Sequence, residues 1–210
     1  MKNFNNIKNI IFDLGGVILN IDTQKSIDAF ANILGKKNDE FVRNYNNFNL
    51  LDRLEKGKIS PKQFRDELKQ IIPKKISDTQ IDSAWNSMLL DFPKERIELL
   101  NKLKPKYRTF LLSNTNKIHY NSYTKQLNEQ FGIKNLSDLF EEEYMSFDLK
   151  MRKPDKEIFY HVLDQNNLLA NETLFFDDTI ENVEAAKQIG IKAYLLKEGE
   201  TINDVLKLQA

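Results

Sequence analysis

The chain of 210 residues sets 31 Lys and Arg against 31 Asp and Glu, so its formal net charge is zero and it lacks the basic excess of a nucleic-acid binder. Hydrophobic residues make up 40% and charged residues 30%, the make-up of a globular chain long enough to bury a core. Cysteine is absent, which removes disulfides, thiolate nucleophiles and cysteine-ligated zinc.

The first apolar run, "IKNIIFDL", is short and is broken by Asp13, which does not suit a signal peptide. No run reaches the roughly 20 apolar residues of a membrane span. These features predict a soluble, cytoplasmic protein without nucleic-acid or membrane partners, and leave its oligomeric state open. Asp13 ends the run and Gly15 and Gly16 follow. A carboxylate at a strand tip beside a turn stripped of side chains suggests backbone lying close to something bound.

From about Thr23 to Asp91 the pattern is helical throughout. "SPKQFRDELKQII" has a serine cap, a proline at the next position, and Phe64, Leu68, Ile71 and Ile72 at helical spacing. "SDTQIDSAWNSMLL" places Ile81, Trp85, Met88 and Leu89 on one side. That stripe reads as core in preference to cleft lining. The aromatic residues here hint at a closed, selective cleft.

"PKERIELLNKLK" then opens a helix on proline, and "YRTFLLSN" is a second buried strand ending at Ser113 and Asn114. The acidic run "FEEEY" marks a solvated strand entry. "MRKPD" brings Lys153, with Pro154 opening a helix whose Ile158, Phe159, Val162 and Leu163 share a face. "ETLFFDD" is a strand ending at Asp177 and Asp178, "TIENVEAAKQIG" a helix stopping at Gly190, and "IKAYLL" a last strand. His119 falls at a helix start and His161 within a helix, where surface or core duty outweighs metal binding.

Strands that alternate with helices predict an α/β fold, a doubly wound Rossmann-like parallel sheet. An α-helical cap is inserted after the first strand. The expected division is a core of residues 1–20 and 92–210 and a cap of 21–91. The polar residues singled out follow strands, where open α/β sheets bind ligands. Clustered there, Asp13, Asp177 and Asp178 would repel unless a cation joined them, and magnesium suits such oxygens.

"FDLGGV", "LLSNTN", "MRKPD" and "FFDDTIENVEAAKQIG" resemble, in order, the four motifs of the haloacid dehalogenase superfamily. The helical insertion is where one group of that superfamily carries its cap. Among its branches the chain is similar to bacterial sugar-phosphate phosphatases of the α-D-glucose-1-phosphate phosphatase type. The resemblance implies magnesium-dependent hydrolysis of a small phosphorylated metabolite through an aspartyl-phosphate. Asp13 would be the nucleophile, and Asp13, the Gly15 carbonyl and Asp178 the magnesium ligands, with Asp177 binding directly or through water. Ser113, the Asn114 N–H and Lys153 would hold the phosphoryl group.

Gly15 stands where phosphatases of the superfamily have an aspartate that serves as general acid and base. Asp22 is a possible substitute, although a helix cap is its plainer role. The gap disfavours a phosphomutase and keeps two alternatives: a metal-free dehalogenase, opposed by Asp177 and Asp178, and a catalytically weak phospho-ligand binder. Lys150, where relatives often have glycine, leaves the local loop shape in question.

Overall fold

The computed structural model describes residues 6–34, 49–72 and 75–206. The rest of the predicted cap, over 35–48 and 73–74, lies outside the described residues. Among the described residues five strands form one parallel sheet: β1 (Asn9–Phe12), β2 (Arg108–Ser113), β3 (Glu142–Met145), β4 (Thr173–Asp177) and β5 (Lys192–Leu195), in the order β3-β2-β1-β4-β5.

Strand alternation sorts the apolar residues to the two faces. Ile10, Phe12, Leu111, Leu174 and Phe176 join one core layer, and Ile11, Phe110, Leu112 and Phe175 the other. Because both layers are covered by helices, the central strands read as unbroken apolar runs. The first layer packs on α5 (Lys94–Leu103), α6 (Lys117–Phe131) and α10 (Ile202–Val205). The second packs on α8 (Lys156–Asn166) and α9 (Ile180–Gln188), with Ile158, Phe159, Val162 and Leu163 buried together. A short α7 (Ser146–Leu149) follows β3.

The acidic run does enter a strand: Glu142 is exposed, while Tyr144 and Met145 are buried on the sheet edge. Two prolines sit slightly off their expected places. Pro93 flanks α5 from outside, and α8 begins two residues after Pro154.

Among the described residues the cap consists of α1 (Thr23–Leu34), α2 (Leu50–Glu55), α3 (Pro61–Ile71) and α4 (Asp78–Asn86). Ser60 and Ser77 each form a reciprocal capping box, with Gln63 and Gln80. Phe30, Leu54, Phe64, Leu68, Ile81 and Trp85 make a separate apolar cluster. Ion pairs tie the helices together, Arg53 to Glu67 at 2.8 Å and Arg65 to Asp82 at 2.8 Å. The chain leaves and re-enters the sheet domain side by side. Ile21 bridges Leu89 in antiparallel fashion, and the Asn20 and Asp22 N–H groups donate to the Asp91 and Met88 carbonyls, each at 2.9 Å. That neck hangs the cap over the carboxyl ends of the strands. Among the described residues no helix is long and apolar enough to cross a membrane.

Candidate active site

Parallel register brings the strand tips together. Phe12 pairs with Leu111 on one side and Phe176 on the other, so Asp13, Ser113 and Asp177 leave adjacent strands at the same edge. The Asp13 N–H donates to the Phe176 carbonyl at 2.9 Å, which fixes the start of the turn. Carboxylate oxygens of Asp13, Asp177 and Asp178 lie within 4.8 Å of one another.

Lys153 reaches this cluster from the loop before α8. Its ammonium lies 2.8 Å from Asp13 Oδ1 and 2.7 Å from Asp177 Oδ2, with 1% of the side chain exposed. A buried cation is tolerated only when paired and hydrogen-bonded, and here two carboxylates do this. Burial opposes the Lys153 charge, but Asp13 and Asp177 more than offset it and raise its pKa.

Asp177 is fully buried and already engaged. Its Oδ1 accepts from the Thr179 N–H at 2.8 Å and from Asn182 Nδ2 at 3.1 Å, and its Oδ2 accepts from Asn182 and Lys153. Asp178 has a weaker contact, the Thr179 hydroxyl at 3.4 Å from Oδ1. Burial first, and then Asp177, raises the Asp178 pKa. Burial pushes Asp13 up to about 7, Lys153 pulls against this, and Asp177 and Asp178 add to it. Carboxyls raised in this way are short of positive charge, which a divalent cation would supply.

Gly16 makes the cluster possible. Its φ is +71°, the left-handed region that suits glycine, and a Cβ there would lie 2.0 Å from Asp178 Oδ2. Gly15 is constrained by a neighbour instead. A Cβ at 15 would meet Ile21 Cδ1 at 3.2 Å, so Ile21 fills the space into which a side chain at that position would grow.

Ser113 is buried at the end of β2, and Asn114 beyond it lines the cavity. The Asn114 amide clasps the Lys153 backbone: its Nδ2 donates to the Lys153 carbonyl and its Oδ1 accepts from the Lys153 N–H, both at 2.9 Å. Lys150 adopts a left-handed φ of +59° at the end of α7, so the loop keeps a conformation that glycine takes freely, at some strain.

Asp22 takes its plainer role. Its carboxylate accepts from the Gln24 N–H at 3.0 Å just ahead of α1, and it does not line the cavity among the described residues. A cavity of about 580 Å³ joins sheet and cap, lined by Asp13, Gly15, Asn114, Lys153 and Asp178 below and by Ile21, Leu51, Glu55, Trp85 and Met88 above. Trp85 and Met88 both line the cleft; Trp85 is also buried in the cap core against Phe64, as the core reading expects, whereas Met88 is only partly buried. His119 stacks on Trp85 at 5.0 Å and shares a 2.9 Å hydrogen bond with Asn86, and burial lowers its pKa to about 3. It is a neutral wall residue.

Sequence reasoning passed over Asn182, Arg152 and Glu55. Asn182 had a signal, a polar residue in the apolar stripe of α9 beside Val183 and Ala186. Arg152 and Glu55 had none, since only the tertiary docking of α2 brings them together at 3.0 Å.

The family model for "haloacid dehalogenase-like hydrolase" matches residues 7–190. A D-ribitol-5-phosphate phosphatase of Bacteroides thetaiotaomicron is 30% identical over 193 residues, which cover 92% of this chain and 93% of that one. A HAD family enzyme of the same organism, solved with magnesium and inorganic phosphate, has a TM-score of 0.84 and 38% identity, over 95% of this chain and 99% of that one. A HAD-like family hydrolase of Porphyromonas gingivalis has a TM-score of 0.85 and 30% identity, over 96% and 97%.

Proposed function

The chain belongs to the haloacid dehalogenase-like hydrolase family, and from that premise we propose that it is a magnesium-dependent phosphatase acting on small sugar or polyol phosphates through an aspartyl-phosphate. The observation that carries this reading is the tie of Asp13 to Lys153 at 2.8 Å beside two further carboxylates. Three clustered acids and one lysine leave room for a hard cation in an oxygen-lined site.

Asp13, Asp178 and the Gly15 carbonyl would hold magnesium. Asp177, whose oxygens are taken up by Lys153, Asn182 and Thr179, would act through a water. When bound, the ion offsets negative charge on the phosphoryl oxygens. Asp13 attacks phosphorus in line with the leaving oxygen. Lys153 orients the nucleophile and balances charge as it transfers to phosphorus. Ser113 and the Asn114 N–H receive phosphoryl oxygens, and the Asn114 side chain holds the lysine loop in place. Phosphoryl transfer asks chiefly for such positioning and charge stabilisation.

The upper wall selects the alcohol. Ile21, Leu51, Trp85 and Met88 offer apolar contact, while Glu55 and Arg152 offer polar contact, a mixture that fits a carbon chain bearing hydroxyls. The relative that hydrolyses D-ribitol 5-phosphate supports a polyol ester. Cap and sheet would then act as the two domains of 21–91 and of 1–20 with 92–210.

Phosphate release from a panel of sugar and polyol phosphates tests the proposal. Turnover is expected with magnesium, loss with chelator, recovery when magnesium is restored, and a fall on the order of 10⁴-fold or more for Asp13→Asn. Release unaffected by chelator, or full activity in Asp13→Asn, would overturn it.

A further inference from the structure

Breaking an alkyl phosphate leaves an alkoxide that needs a proton, and in-line attack fixes where that need arises. Asp13 approaches phosphorus from the strand tips, so the departing oxygen lies on the far side, facing the cap. Of the cap residues that line the cavity, Glu55 is the only titratable one among the described residues, beside Ile21, Ser26, Leu51, Trp85 and Met88.

Among the described residues that line the cavity, the sheet side supplies no alternative donor. Asp13 is the nucleophile and Asp178 belongs to the proposed cation site. Lys153 is locked between Asp13 and Asp177. His119 is neutral and held by Asn86. Glu181 is exposed in the first turn of α9, on the Asp178 side.

We propose that Glu55, the last residue of α2, is the general acid and base of the reaction, delivered from the cap. The inference rests on the phosphatase reading. In the first half, the Asp13 oxygen–phosphorus bond forms as the bond from phosphorus to the leaving oxygen breaks, and the Glu55 proton passes to that oxygen to give the alcohol. In the second half, water attacks phosphorus, the Asp13–phosphorus bond breaks, and the water proton returns to Glu55.

Local structure equips Glu55 for this task. Its side chain is 12% exposed, and Arg152 Nη2 stands 3.0 Å from Oε2. The contact is not aligned as a hydrogen bond, and Oε2 is buried without a donor. Two residues on, Gly57 turns at φ +57° against the Phe147 carbonyl, so close that a Cβ would lie 2.1 Å from that oxygen. This contact seats the end of α2 on the sheet domain. Lys56 adds pairs to Asp52 at 3.1 Å and to Asp155 at 3.4 Å, and Arg152 also meets Asp52 at 3.5 Å.

The charged groups facing Glu55 are Asp52 on its own helix, Lys56 just beyond the helix end, and Arg152 and Lys153 from the loop before α8. Burial outweighs the pull of Arg152, Asp52 adds to the rise, and Lys153 and Lys56 oppose it, leaving the carboxyl pushed up to about 7. A group titrating near the working pH exchanges a proton in both halves of the reaction.

The test compares leaving groups. Ribitol 5-phosphate expels an alkoxide that needs the proton, whereas p-nitrophenyl phosphate expels a stable anion that does not. Glu55→Gln is expected to lower kcat on the alkyl ester by about 10²-fold or more, and on the aryl ester by tenfold or less. The alkyl rate of the wild type should fall as pH rises through about 7, where Glu55 loses its proton, and the variant should lack that limb. Equal losses on both esters, or none, would overturn the proposal. Should the variant fail to fold, a series of esters on the wild type decides. Dependence on leaving-group basicity must be shallow below pH 7 and steeper above it, and an unchanged slope refutes the role. If the wild type hydrolyses neither ester, the phosphatase reading itself falls.

Discussion

The two walls of the cavity are built on opposite plans. At the sheet edge Lys153 and Asp177 are fully engaged before any substrate arrives: Lys153 spans two acids, Asn182 and Thr179 saturate Asp177, and Asn114 clasps the lysine backbone. On the cap side apolar side chains dominate, and Glu55 is left incompletely bonded where it meets Arg152 of the sheet side, with Glu55 Oε2 and Arg152 Nε both lacking a hydrogen-bond partner. The sheet is pre-organised for one kind of chemistry. The cap holds polar capacity in reserve, which suits the recognition of a variable alcohol and the transfer of a proton. Rigid sites stabilise charge well because they need not rearrange during reaction.

That contrast can be broken by mutation. Lys153→Met should have the largest effect, because it strands the buried Asp177 and removes the cation paired with Asp13. Loss of one partner from a buried pair costs about 3–5 kcal/mol, so urea unfolding should register it together with loss of activity. A shift below about 1 kcal/mol would mean that the sheet wall is less tightly wired than its geometry indicates.

Glu55→Gln probes the other wall through stability alone. The folded state raises the Glu55 pKa from 4.5 to about 7. The carboxyl therefore favours folding most below its unfolded value, and that contribution is lost as pH rises to about 7. The variant should match the wild type near pH 4 and be the more stable at pH 8, by up to about 3 kcal/mol. Chemical unfolding at the two pH values checks this, and equal differences at both would show Glu55 ionising as it does in the unfolded chain.

The smallest effect is expected at Lys150, whose left-handed backbone is strained for a residue with a side chain. Lys150→Gly should be neutral or stabilising by about 1 kcal/mol, since relief of that strain competes with the added freedom of the unfolded chain. Clear destabilisation would mean that the lysine side chain supports the loop.

Much of the sheet wall was legible in the sequence because strand tips carry their own punctuation. Asp13 closes "NIIF", Ser113 closes "TFLL", and Asp177 closes "TLFF", and a parallel sheet brings such ends together. The cap helices were legible too, since Ser60 and Ser77 announce their starts. The function of Trp85 was not. Its helical stripe is the same whether the ring fills a core or lines a cleft, and here it does both. Glu55 escaped notice because nothing in "LLDRLEKGK" reveals that α2 ends against Phe147 and Arg152. Local pattern encodes which residues face inward, while the far side of a cavity depends on how two packed units meet.

The chemistry of the whole site depends on the cation. Anomalous diffraction from crystals soaked in manganese, a scattering stand-in for magnesium, locates it directly. One peak bonded to the Asp13 and Asp178 carboxylates and the Gly15 carbonyl is the predicted result. A peak elsewhere, with Asp13 still bonded to Lys153 alone, would contradict it.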